Sequence, residues 1–367
     1  MRMTSSRPPH QFTPAATRVA RRLATLPALC ALLVVAAALQ GTRLGARPGQ
    51  IPPSTASGVA LGARQATYRN PVFARDYPDP AVLKVGADYY AYGTTTGWEA
   101  FDHLFPILRS SDLVHWRYVG DAMPSSPSWG VGDWWAPDVI AYKGVYYMYY
   151  VGKDLNTSQH CVAVATASKP VGPFTHRAVV GCGDARGQGY IDPAPLLDAD
   201  GKAYLYVSVD NAYHSISVIP LKGDLIHAAG PRKELFTLTQ AWENGANFST
   251  VEGPFVVKHG KTYDLFYSGN DWQHDYAMGY ATSTSPLGPF VKYKGNPILH
   301  NARGVTGPGG GSVVPGPHGG WWLAYHAWTG GPGYDSGGVR NLRIDPLTWT
   351  GDKIGVRGPT TGGEPLP

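Results

Sequence analysis

Hydrophobic and polar positions along this chain fall into short aromatic or β-branched runs, alternating or continuous, bounded by Gly, Asp, Pro or Lys-Gly turns. The runs are too short, and Gly and Pro recur too often, for helices of several turns; they read as strands joined by hairpins. Five times a Gly, or Ala87 in the first copy, precedes an aromatic-rich strand: ADYYAYG, GVYYMYY, GKAYLYV, GKTYDLFY and GGWWLAYHA. Equivalent points lie roughly 55 to 60 residues apart, a period associated with propeller blades. A further strand element follows in most copies, at SSDLVHW (Ser110 to Trp116), ATASKPVGPF (Ala165 to Phe174) and ATSTSPLGPF (Ala281 to Phe290). Four strands per repeat and five repeats predict an all-β fold, a five-bladed β-propeller. A radial repeat brings the starts of its innermost strands together around one axis.

The length, 367 residues, suits one large all-β unit. The formal net charge of +5 is unevenly spread: residues 1 to 66 hold eight Arg, no Lys and no acid, which leaves 23 basic against 26 acidic residues in the remainder. The basic excess is therefore an export or anchoring feature and excludes a nucleic-acid surface. Arg18, Arg21 and Arg22 precede an apolar run from Leu23 to Leu39 that ends in small residues, the order of a signal peptide, with an uncleaved signal anchor as the alternative. Residues 1–45 are read as that segment, 46–66 as a flexible Pro/Gly/Ser/Ala-rich linker, and 67–367 as a single propeller, secreted or tethered, and a monomer. Cys30 lies in the apolar run. Cys161 and Cys182 remain for an exported domain, as a disulfide or as two free buried thiols.

Four of the five copies carry an acid just upstream of the strand hairpin: Pro78-Asp79-Pro80, Ala136-Pro137-Asp138, Ile191-Asp192-Pro193 and Val251-Glu252-Gly253-Pro254. The fifth carries Gly309-Gly310-Gly311-Ser312. Asp-Pro alone is a common turn opener. Its recurrence at one point of successive repeats points instead to acids converging on the axis. Two carboxyls flanking a glycosidic bond, one protonated and one ionised, are the minimum set for glycoside hydrolysis, and a third beside the acid keeps it protonated by like-charge repulsion. Converging acids also fit a calcium site, although no carbonyl-rich loop accompanies them. Trp98 and the pair Trp134-Trp135 fall in loops expected to rim the pocket, either stacking on sugar or packing.

The segments YPDPAVLKVGADYYAYGT, WWAPDVIAYKGVYYMYY, IDPAPLLDADGKAYLYVS and VEGPFVVKHGKTYDLFYSG, closed by GPGGGSVV, WLAYHAW and RNLRIDPLTW, resemble glycoside hydrolase family 43 over roughly residues 68 to 350. The resemblance implies inversion at the anomeric carbon, with Asp79 as general base, Glu252 as general acid and Asp192 as the carboxyl that tunes the acid. It implies a pocket arginine at Arg340 and an axial histidine at His326 near a cation, such as Ca2+, or a water cluster; no cofactor is required. Asp138, off the Asp-Pro register, is read as substrate-binding or structural, and Trp98 and Trp135 as substrate-binding. The substrates implied are arabinan, arabinoxylan or derived oligosaccharides. An exo-acting α-L-arabinofuranosidase stands ahead of β-xylosidase and endo-arabinanase, partly because no C-terminal β-sandwich of the kind many xylosidase relatives carry is read after the fifth blade. A non-catalytic carbohydrate-binding propeller is the alternative of another class.

Overall fold

The computed structural model describes residues 66–183, 189–210 and 214–367. The segments read as signal and linker lie outside these residues, apart from Thr67's neighbour Ala66.

The repeats form five antiparallel four-stranded sheets, each a meander in chain order. Blade 1 is Ala81–Val85, Asp88–Tyr92, Pro106–Ser110 and Arg117–Asp121. Blade 2 is Trp135–Tyr142, Val145–Lys153, His160–Ala167 and Thr175–Cys182. Blade 3 is Gly189–Leu197, Ala203–Asp210, Ser215–Leu221 and Lys233–Thr237. Blade 4 is Val251–His259, Thr262–Gly269, Ala277–Ser283 and Val291–Lys292. Blade 5 is Thr306–Pro315, Trp321–Thr329, Val339–Thr350 and Lys353–Val356. The first strand of each blade touches the first strand of the next, and that of blade 5 touches that of blade 1, so the ring closes.

The core is divided among the five blade interfaces. Tyr89 belongs to the apolar cluster shared with Val314, Trp322 and Ile344 of blade 5, whereas Tyr90 and Tyr92 belong to the one shared with Met148, Tyr150 and Ala165 of blade 2. Second strands are thus buried on both faces, which is why their sequences read as continuous aromatic runs instead of strict alternation. The echoed ATASKPVGPF and ATSTSPLGPF segments make the same joint twice. Tyr92 donates its hydroxyl hydrogen bond to the carbonyl of Pro170 at 2.8 Å, and Tyr206 to that of Pro286 at 2.8 Å. Phe174 meets Tyr92 edge-on and Phe290 meets Tyr206 in the same way. Each echo is therefore a blade clamp.

Closure draws on the start of the domain. Thr67–Tyr68 pairs with Glu364–Pro365, and Asn70 both donates to the Ile344 carbonyl (2.7 Å) and accepts from the Ile344 amide (3.0 Å). This ties the N-terminal segment to blade 5. Cys161 and Cys182, directly opposed on the third and fourth strands of blade 2, form a disulfide.

Candidate active site

The inner strands begin with a shared irregularity. Asp79, Ala136, Asp192, Gly253 and Gly310 all have left-handed backbone, with φ of 54°, 42°, 51°, 59° and 53°. In blades 2 to 5 the pairing register also slips here, between Trp135 and Asp138, Ile191 and Ala194, Glu252 and Phe255, and Gly309 and Ser312. Bulges of this kind re-aim side chains at the end of a strand. Asp tolerates left-handed backbone better than most residues, which suits it to this position in blades 1 and 3. The register differs from the one read in the sequence. Glu252 precedes the left-handed residue by one position and Asp138 follows it by two, so only Asp79 and Asp192 are strictly equivalent. In blade 5 the position must be Gly: a Cβ on Gly310 would lie 2.6 Å from His326 Cε1 and 2.8 Å from Asp79 Oδ1.

These strand starts surround a cavity of about 430 Å3 lined by Asp79, Asp138, Asp192, Glu252, His326 and Arg340, with Trp135 in its wall. Asp79 Oδ2 accepts a 2.6 Å hydrogen bond from Thr94 Oγ1, and Arg340 Nη1 lies 4.0 Å from Asp79 Oδ1. Asp192 Oδ2 accepts from the Gly253 amide and from Ser208 Oγ, both at 2.9 Å, which fixes it beside the Glu252 backbone. Glu252 accepts from the Tyr276 hydroxyl at 2.8 Å and from Thr250 Oγ1 at 3.2 Å.

Electrostatics separate the acids. Burial, and then the charge of Asp192, raise Glu252 well above the usual carboxylate range; burial, and then the charge of Asp79, raise Asp192. The three acids therefore sense one another and hold fewer than three negative charges at neutral pH. Burial pushes Asp138 up to about 8 against the lowering effect of the Val139 amide, which favours its protonated form at neutral pH. Its Oδ1 accepts from the Val139 amide at 2.7 Å. It can offer a hydroxyl hydrogen to a ligand.

His326, expected near a cation or a water cluster, is buried at the axis. Its Nδ1 accepts the Asp79 amide hydrogen at 3.0 Å, and burial drives its pKa down to about 3, so the ring is neutral with its proton on Nε2. The 3.4 Å approach of Nδ1 to Asp79 Oδ1 is then no ion pair. Nε2 is buried and has no hydrogen-bond partner among the described residues. It presents a donor, which suits a water and does not suit direct ligation of Ca2+. Among the described residues no cluster of three or more His, Cys, Asp or Glu is arranged to hold a metal ion.

Trp98 does not line the cavity. The Thr96–Trp98 and Phe101–His103 ribbon folds it inward, where it is 5% exposed, packs on Phe73 and His103, and donates Nε1–H to the Asp76 carbonyl at 2.7 Å. Trp134 is likewise buried, against Trp129. Arg340 sits among the rings of Trp272, Trp328 and Tyr334, and donates to the Tyr334 hydroxyl at 3.0 Å. Tyr276, Trp272 and Tyr334 were missed in the sequence. Their signal is topological: loops joining second to third strands open at the same end as the inner strand starts.

The glycosyl hydrolases family 43 model matches residues 68–354. The chain is similar to a non-reducing end alpha-L-arabinofuranosidase of Bacteroides ovatus, 29% identical over 80% of this chain and 54% of that one. It is similar to an extracellular endo-alpha-(1->5)-L-arabinanase of Thermotoga petrophila, 28% identical over 68% and 56%. A crystal structure of a thermostable family-43 glycoside hydrolase superposes with a TM-score of 0.72 at 34% identity, over 82% of this chain and 99% of that one. The chain spans about half the length of the first of the curated relatives it matches. With the match covering every blade and the acids meeting at the axis, the chain belongs to glycoside hydrolase family 43.

Proposed function

We propose that the protein is an exported, inverting, exo-acting α-L-arabinofuranosidase that cleaves arabinose from arabinan, arabinoxylan or their oligosaccharides. The observation that carries this reading is the cavity in which Asp79, Asp192 and Glu252 converge, with Glu252 raised by burial and by the charge of Asp192. Asp79, oriented by Thr94, takes a proton from a water as its oxygen attacks the anomeric carbon. The glycosidic C–O bond breaks as Glu252, kept protonated by burial and by Asp192, gives its proton to the leaving oxygen. Asp138, Arg340 and Trp135 hold the sugar. The named activities of the Bacteroides and Thermotoga relatives support an arabinose substrate, and relatives named extracellular support export.

Comparing 4-nitrophenyl α-L-arabinofuranoside, the β-xyloside and linear arabinan, with products sized, tests the reading. Release of arabinose alone from the first and last, with the inverted anomer appearing first by NMR, is the expected result. Preferred turnover of the xyloside indicates a β-xylosidase, oligomeric products an endo-arabinanase, and no turnover a binding propeller.

The tuning role predicts a pH effect. A general acid works only while protonated, so activity is lost as pH rises through its pKa. Replacing Asp192 with Asn removes the charge that helps raise Glu252, so the basic limb of kcat/KM should move to lower pH. At pH 7 the rate should fall roughly 10- to 100-fold. An unmoved basic limb would show that Asp192 does not tune the acid.

A further inference from the structure

A charged cluster behind the cavity wall takes no part in the bond-breaking steps. Trp135 lines the cavity, and His160, the first residue of the third strand of blade 2, packs against its ring with centroids 4.8 Å apart and planes inclined by 40°. His160 Nε2 is 3.0 Å from Asp133 Oδ2, and Nδ1 is 3.6 Å from Asp210 Oδ2. Asp133 lies two residues before Trp135, and Asp210 ends the second strand of blade 3 and also lines the cavity. One imidazole thus bridges two blades beneath an aromatic wall. The fit is close: a Cβ on Gly189, at the start of the inner strand of blade 3, would lie 2.8 Å from the His160 Cβ.

An acid facing each ring nitrogen favours the doubly protonated imidazolium, and His160 is raised to about 9 against the opposing effect of its burial. Among the described residues, the other charged or titratable groups facing the cluster are Lys153, whose Nζ is 3.7 Å from Asp133 Oδ2, and His214 of blade 3, which burial keeps toward its neutral form. A cation against an indole ring is attracted to its π face. A ring already held in place loses less freedom when a sugar stacks on it.

We propose that His160, held between Asp133 and Asp210, is a positioning residue that fixes the indole of Trp135 as a stacking wall for a sugar unit in the cavity. This rests on the pentoside-hydrolase reading above and adds to it a device for substrate affinity. His160 acts through Trp135, so its loss changes binding and leaves the chemistry intact.

The test is a double-mutant cycle on the full-length protein with His160→Gln, Trp135→Ala and the pair, using arabinotriose and xylotriose as substrates. His160→Gln should raise KM about tenfold with kcat within about twofold, and should add nothing in the Trp135→Ala background. Asp133→Asn, which leaves both rings in place, should raise KM in the same direction and serves if His160→Gln fails to fold. In a Glu252→Gln background, arabinotriose or xylotriose affinity measured by calorimetry should fall as pH rises past about 9, and that fall should vanish on adding His160→Gln. Additive effects in the cycle, a change in kcat without KM, or a pH-independent affinity overturns the assignment to His160. A wild-type protein that turns over neither trisaccharide overturns the hydrolase reading itself, and this inference with it.

Discussion

Replacing Glu252 with Gln is expected to lower kcat by about 10²- to 10⁴-fold on an arabinoside with a poor leaving group, the range that a positioned general acid supplies. The amide keeps the shape of the side chain and can still accept from the Tyr276 hydroxyl, now 2.8 Å from Glu252 Oε1, so the cavity should persist. What it lacks is a transferable proton. A 2,4-dinitrophenyl leaving group needs no protonation, and with that substrate most of the lost rate should return. Parallel kinetics on the dinitrophenyl arabinoside and on arabinobiose check this. An equal loss on both substrates would remove Glu252 from the acid's role.

Asp79→Asn should give the complementary result: a loss of about 10²- to 10⁴-fold whatever the leaving group, because attack by water is slowed in every case. Asn is the informative replacement. The residue has left-handed backbone at φ 54°, which Asn adopts at less cost than Ala, so the variant separates the missing base from added backbone strain. Its side-chain oxygen can still accept from Thr94 Oγ1. Single-turnover rates on both leaving groups, with the melting temperature as a check on folding, make the measurement. Near-normal turnover of either substrate by a folded Asp79→Asn protein would show that another group activates the water.

The two variants differ because the structure gives their carboxyls different surroundings. Glu252 is enclosed and lies in the field of Asp192, so it holds its proton. Asp79 lies beside Arg340 and a neutral His326, with one oxygen held by a hydroxyl. The same logic makes Asp138 a neutral donor in the cavity wall. That state could not be read from its place after Pro137, since it depends on how the neighbouring blades enclose the carboxyl at the cavity wall.

The Trp residues show where local reading stops. The sequence places Trp98 and Trp135 alike, near the rim of the pocket, yet one is in the core and the other lines the cavity. A two-stranded ribbon turns Trp98 toward Phe73 and Tyr77, a choice made by packing against the N-terminal segment and invisible in the Gly97-Trp98 dipeptide. Trp135 instead starts an inner strand beside a bulge. The disulfide is a similar case. Two cysteines separated by 21 residues are joined only because the strands that carry them run side by side in one blade.

By itself the sequence determined the blade count, the strand character of the repeats and the identity of the converging acids. All three follow from local periodicity: short aromatic runs cannot bury themselves except by stacking blade on blade, and a radial stack carries the strand starts to one axis. Tertiary structure alone decided the true register of Glu252 and Asp138, the need for Gly310 opposite His326, the ring contacts of Arg340 and the backing of Trp135 by His160. These depend on distances between residues of different blades, and on burial, which only the closed ring creates.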